Sequence, residues 1–218
     1  MPFDALLSQS AKLESKLETF FALPLAGPEI RCNACRQLAS LGFEHAQSLK
    51  FLVSIGRYTS AAALLRVQYE SLVRAIWMLH VATDQQVENM IAELTHDSAK
   101  KANKLPMLSE MLEAIEKKAP QSPIAQLNEF KHYSWRPLSS YVHGGIHAIS
   151  RHSQGFPVAL VEAMVKHSNG LLVIAGSLLL VLAGIPPSEG RMSKVNQELK
   201  DCLPMQNSPF QRTDTPAY

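Results

Sequence analysis

The sequence predicts an all-α protein, a compact multi-helix bundle, and three observations carry that prediction. Apolar residues recur at steps of three and four along most of the 218 residues, which is the period of a helix face. No run alternates apolar and polar residues between turn signals, as a half-buried strand does. Prolines, glycines and capping residues fall at intervals suited to helices. With 46% hydrophobic and 18% charged residues, the chain is long enough to bury a core without a metal or disulfide. A single helical domain over 1–203 and a disordered tail over 204–218 are expected.

The elements follow in order. A first helix starts from Asp4 as N-cap, carries Leu6, Leu7, Leu13, Leu17, Phe20 and Phe21, and ends before Pro24 and Gly27. A second runs from about Glu29 to Gly56, with Cys35, Leu38, Leu41, His45, Ser48, Leu52 and Ile55 on one core-facing stripe. The third, capped at Thr59 or Ser60, reaches about Ala82 and puts Leu65, Leu72, Ile76 and Leu79 on one arc. Asp84 caps a fourth that reaches about Thr95, after which His96 to Lys104 reads as a polar, basic loop.

Pro106 opens a helix ending near Ala119, and Ser122 with Pro123 opens another reaching about Tyr133. Pro137 starts a further helix, because the residue before a proline, Arg136, is disfavoured in helical geometry. A long apolar helix follows from about Val158 to Ala183, and a weakly amphipathic segment from about Ser188 to Cys202. Pro204, Pro209 and Pro216 among polar residues bury too little to order the tail.

Composition excludes several functions. Lys and Arg number 21 against 19 Asp and Glu, a formal charge of +2, without the basic excess of a dedicated DNA-binding domain. Three cysteines at irregular spacing argue against a secreted disulfide framework and for a reducing cytoplasm. The start of the chain lacks a basic segment followed by an apolar one, so no signal peptide is expected. From Gly170 to Ile185 the chain has 16 uncharged residues, short of the roughly 20 that span a bilayer. A core helix, and no membrane partner, is the expectation.

The stretch from Tyr133 to His147 concentrates potential chemistry, with Trp135, Arg136, Tyr141, His143 and His147 in fifteen residues. Arg136 followed by six residues and His143 resembles the Arg-x(4 to 6)-His motif of HEPN domains, compact helical bundles that include bacterial ribonuclease toxins. The resemblance implies a homodimer in which Arg136 and His143 sit at the start of a late helix and cleave RNA without a metal or cofactor. It also implies a place in a toxin-antitoxin or defence system, with an antitoxin or regulatory protein as partner. Pro137 departs from the polar residue that usually follows the Arg. The chemistry is coherent: a neutral imidazole takes the proton of a ribose 2′-hydroxyl, and a guanidinium holds a phosphate oxygen as charge builds. His143 also suits a helix cap before Gly144 and Gly145.

Arg66, Glu70 and Arg74 at steps of four form a ladder in which each Arg pairs with the central carboxylate. As a functional set they line a phosphate-binding wall, with Trp135, Tyr141 and His147 completing the substrate contacts; as a structural set they are a helix-face ion-pair ladder. The combination of this ladder, Trp77 and the later Ser-His-Gly-Gly block also resembles a group of uncharacterised bacterial helical proteins. Glu93 with His96 and Glu129 with His132 have the Glu-x-x-His spacing of di-iron bundles, but in the wrong element order. Cys32 and Cys35 form a lone Cys-x-x-Cys, best read as small core residues. A rival reading is a non-catalytic helical module that holds a protein partner in the Arg136/His143 groove.

Overall fold

The computed structural model describes residues 2–102 and 104–204. Its helices are α1 (Phe3–Glu18), α2 (Glu29–Ser54), α3 (Tyr58–His80), α4 (Asp84–Ile91), α5 (His96–Ala102), α6 (Leu108–Lys118), α7 (Gln121–Val142), α8 (Ile146–Gln154), α9 (Val158–Leu182) and α10 (Arg191–Glu198), and no strand occurs among the described residues. Short 3₁₀ turns follow α1, precede α10 and end the described chain.

Helix α3 is the hub. It packs against α2, α6, α7 and α9, and buries Ala61, Leu65, Tyr69, Leu72 and Ile76 along one face with Trp77 beside it. Helix α9 is the second core element and touches α1, α2 and α3. It is the one helix among the described residues long and apolar enough to cross a membrane, and 67% of its most apolar window is buried inside the bundle. That is the environment of a core helix, where protein side chains take the place of lipid.

Close approach depends on small residues. A Cβ placed on Gly176 of α9 would lie 2.7 Å from Leu17 Cδ2 of α1, so a larger residue there would force the buried Leu17 side chain to shift. Several polar side chains inside the bundle are bonded across it. Gln68 of α3 donates to the Ser168 carbonyl of α9 at 3.0 Å and accepts from the Ser168 hydroxyl at 2.8 Å. Asn169 donates to Ser10 Oγ and to the Cys202 carbonyl, both at 2.8 Å, tying α9 to α1 and to the C-terminal segment. Lys50 meets Glu14 at 2.6 Å with both side chains largely buried. Burial lowers the ammonium pKa and the Glu14 carboxylate beside it opposes that shift.

Several expectations change. Pro2, Arg57 and Thr83 cap α1, α3 and α4 in place of Asp4, Thr59 or Ser60, and Asp84, and α4 ends at Ile91 rather than near Thr95. The core stripe of α2 is Cys35, Ala39, Gly42, Ala46, Leu49 and Val53, while Leu41 and Ile55 are exposed and His45, Ser48 and Leu52 half-buried. Bulk marked one face, but the small residues let α2 come close to α3 and decided which face turned inward. His96 to Lys104 contains helix α5 rather than only loop; the Ser98 hydroxyl is bonded into the Thr95 turn that starts it. The helix break at Arg136 and Pro137 is absent, since α7 runs through both. Of the expected tail, Pro204 lies against Gly170, where an added Cβ would meet its ring at 3.0 Å; residues 205–218 lie outside the described residues.

Candidate functional site

The structure divides the expected site residues into two groups around α7. The first is enclosed between α3 and α7. Arg66 Nε donates to Glu70 Oε1 at 2.8 Å, and Arg66 Nη1 donates to Ser139 Oγ. The guanidinium lies 4.0 Å from the centre of the Trp135 ring, a cation–π distance. Ser139 in turn donates to the Trp135 carbonyl at 2.8 Å. The Arg66 and Glu70 side chains are 13% and 25% exposed, so solvent screens this pair less than a surface one.

Aromatic packing continues the cluster inward. Trp135 meets Tyr69 edge-on at 6.0 Å, Tyr69 stacks on Phe130 at 4.7 Å, and Phe130 meets His167 at 5.9 Å. The Tyr69 hydroxyl donates to the Leu127 carbonyl at 3.1 Å. Burial pushes the Tyr69 phenol up and the His167 imidazole down, so both stay neutral near pH 7.

This cluster explains why α7 survives its proline. Pro137 has no N–H to donate to the carbonyl of Tyr133, and its ring disfavours the helical geometry of Arg136. On either side of it, Trp135 lies against Arg66 and Ser139 bonds to Arg66, while Leu138 is buried. Packing against α3 holds the helix where local preference would end it.

The second group is exposed. Arg136 and His143 both face solvent. Seven residues at 100° each fall about 20° short of two full turns, so the pair shares one face of α7, about 10.5 Å apart along the axis. His143 is the C-cap, its N–H bonded to the Ser139 carbonyl at 3.1 Å, and Gly144 follows with φ +65°, the left-handed step that ends many helices. The pair therefore stands at the end of a helix and not at its start. Ser140, in the last turn of α7, accepts the His147 N–H at 2.9 Å, fixing the first turn of α8 beside it.

Of the remaining candidates, Arg74 is half-buried, and among the described residues the ion pair of Glu70 is with Arg66 alone; the three-residue ladder closes on one side. Tyr141 packs 5.9 Å from Phe156. Glu93 falls between α4 and α5, off any helix shared with His96, and no group of three or more metal-ligating side chains occurs among the described residues. Cys32, Cys35 and Cys202 are buried free thiols. Burial pushes Cys35 up to about 12, far from a reactive thiolate.

Two features were not read from the sequence. Ser139, the link between Arg66 and α7, carries no motif of its own. The other had a signal: residues 130–161 contain no Asp or Glu, yet hold Lys131, Arg136, Arg151, His132, His143, His147 and His152. An overall charge near zero hides this local excess.

The fold and site together define an all-helical bundle with an enclosed arginine–carboxylate–tryptophan cluster and an adjoining exposed face of α7 that carries Arg136 and His143. The chain belongs to a family of unknown function, DUF6988, whose model matches residues 39–205. That span contains every candidate site residue. No curated protein and no solved structure matches the chain.

Proposed function

We propose that this chain is a HEPN-like RNA-binding protein that contacts the phosphodiester backbone through the Arg136 and His143 face of α7, and that it is a metal-independent endoribonuclease. The observation that carries the reading is the placement of Arg136 and His143 on one exposed helix face, inside a 32-residue stretch without a carboxylate. After Glu129, two turns before Arg136 on the same face, the stretch carries no acid, which favours a polyanion, and an exposed imidazole and guanidinium supply a proton acceptor and a phosphate clamp. The separation of about 10.5 Å along the helix exceeds what one scissile phosphate spans. Cleavage on this reading takes two chains, with Arg136 of one opposite His143 of the other across a two-fold axis. Arg66, held by Glu70, Ser139 and Trp135, positions α7 and does not bind substrate.

The test is cleavage of labelled single-stranded RNA in EDTA, with binding followed by anisotropy. His143→Ala should lower cleavage by about 10² to 10⁴ while binding survives. Arg136→Ala should weaken both, and Arg136→Lys should not restore them fully, since an ammonium lacks the planar fork. Activity lost in EDTA and restored by zinc would refute the metal-free mechanism. A second reading, a non-catalytic module with a protein partner, is favoured by the same separation within one chain. It prevails if pure protein neither cleaves nor binds RNA.

A further inference from the structure

We infer that this chain pairs with a second copy of itself through the arm formed by α4 and α5, each Leu94 seating in a groove of the other copy. The groove holds about 210 Å³ and is lined by Leu38 and Leu41 of α2, Met78 of α3, and Met90 and Ile91 of α4. Its rim is open, with Leu41 41% and Ile91 40% exposed. Leu94 follows Ile91 by three residues, in the link between α4 and α5, and at 88% it is the most exposed large apolar side chain among the described residues. Helix α5 beyond it packs chiefly on α4. Side chain and groove thus sit on one patch, joined through Ile91. A two-fold contact requires this arrangement, because the patch that offers Leu94 also receives its copy.

Charge selects the occupant. Residues 84–97 carry Asp84, Glu88, Glu93 and Asp97 and no Lys or Arg, whereas residues 98–109 carry Lys100, Lys101 and Lys104 and no acid. Asp84 is answered within the chain by Arg31 of α2 at 2.6 Å. Glu88, Glu93, Asp97 and the three lysines are exposed, and none of them belongs to an ion pair among the described residues. Glu44, also exposed, adds an acid one turn from Leu41 on α2. The groove side is therefore acidic and the far end of the arm basic. Helices α4 and α5 have 8 and 7 residues, so they are of nearly equal length. A two-fold axis beside Leu94 lays each α5 along α4 of the other copy and brings its lysines to that copy's acids. A polyanion or a polycation would match only half of this patch, and a second copy matches both halves. The contact is separate from the Arg136 and His143 face. Tyr141, near His143, is linked through Phe156 to Tyr58 at the start of α3, whereas Met78 lies near the end of that helix.

Sedimentation equilibrium of the full chain, without RNA, tests this. Leu94→Asp should halve the sedimenting mass of the wild type at about 20 µM. Leu94→Ser should raise the dissociation constant at least about tenfold without adding charge. Because Leu94 faces solvent within one chain, helical circular dichroism of both variants should match the wild type. Lys100→Glu with Lys101→Glu should weaken pairing about tenfold, and so should Glu88→Lys with Glu93→Lys. Mixed in equal amounts, these two double variants should pair with each other as strongly as the wild type does, since each now carries the charge that the other lacks. Arg136→Ala with His143→Ala should leave the effect of Leu94→Asp unchanged, which separates this contact from the one that RNA cleavage requires. A wild type that stays monomeric at about 50 µM, a mass that neither Leu94 variant lowers, or charge variants that fail to pair when mixed would overturn the inference.

Discussion

Trp135 and Arg136 are neighbours on α7, yet they belong to opposite kinds of surface. Trp135 lies beneath the Arg66 guanidinium and against Tyr69, in a cluster whose polar groups answer one another. Arg136 faces solvent with His143 two turns on. One helix thus carries a face whose interactions are spent on holding the bundle and a face whose groups remain accessible. An arginine next to a carboxylate, as at Arg66 and Glu70, is the weaker functional candidate even though its geometry is the more ordered. The comparison teaches that order at a polar cluster is evidence of structural work, and accessibility of charge is what a binding role requires.

The largest effect should come from the most enclosed pair. Glu14→Gln leaves the Lys50 ammonium buried without its carboxylate, and should cost about 3 kcal/mol in chemical denaturation. A cost under about 1 kcal/mol would show that Lys50 reaches water and that the comparison overstates enclosure. Next, Trp135→Ala should cost about 2 kcal/mol, because the ring covers Arg66 and Tyr69 together. Arg136→Ala should stay within about 0.5 kcal/mol. Equal losses at these two neighbours would erase the distinction between the faces.

Pro137→Ala sharpens it. The variant restores an N–H for the carbonyl of Tyr133 and relieves the ring's clash, so stability should rise by about 1 kcal/mol. A fall would mean that the proline bend itself seats Trp135 on Arg66. The smallest effect is pH dependence. Burial lowers the pKa of His167, and also of His45 and His80, below the ordinary 6.5. Protons therefore bind more readily to the unfolded chain: stability is full above about pH 6.5 and declines as pH falls below it. The thermal midpoint should drop between about pH 7 and pH 5.5, and His167→Gln should flatten that drop. No change in slope would place His167 outside the linkage.

The all-helical class, the ends of α2 and the course of α9 were legible because they depend on local signals, namely apolar period, glycine and proline stops, and a charge-free run. The same signals misled where packing outweighed them. Pro137 is a strong stop by its own chemistry, but the contacts of Trp135 and Ser139 with Arg66 of α3, some seventy residues away, oppose it. In α2 the apolar bulk of Leu41 and Ile55 pointed to one face, and the closeness that Ala39, Gly42 and Ala46 permit chose another. The seven-residue step from Arg136 to His143 was visible as spacing, whereas its meaning depended on whether a helix broke between them.

By itself the sequence determined that the chain is helical and that its apolar run of 16 uncharged residues from Gly170 to Ile185 falls short of a bilayer span. Only the tertiary structure decided which polar residues were partnered and which were accessible. Pairing is a property of side chains brought together from distant helices, and no periodicity within one helix records it. Arg66 and Arg136 carry the same guanidinium; burial beside Glu70 and Trp135 makes one a strut, and solvent makes the other a candidate contact.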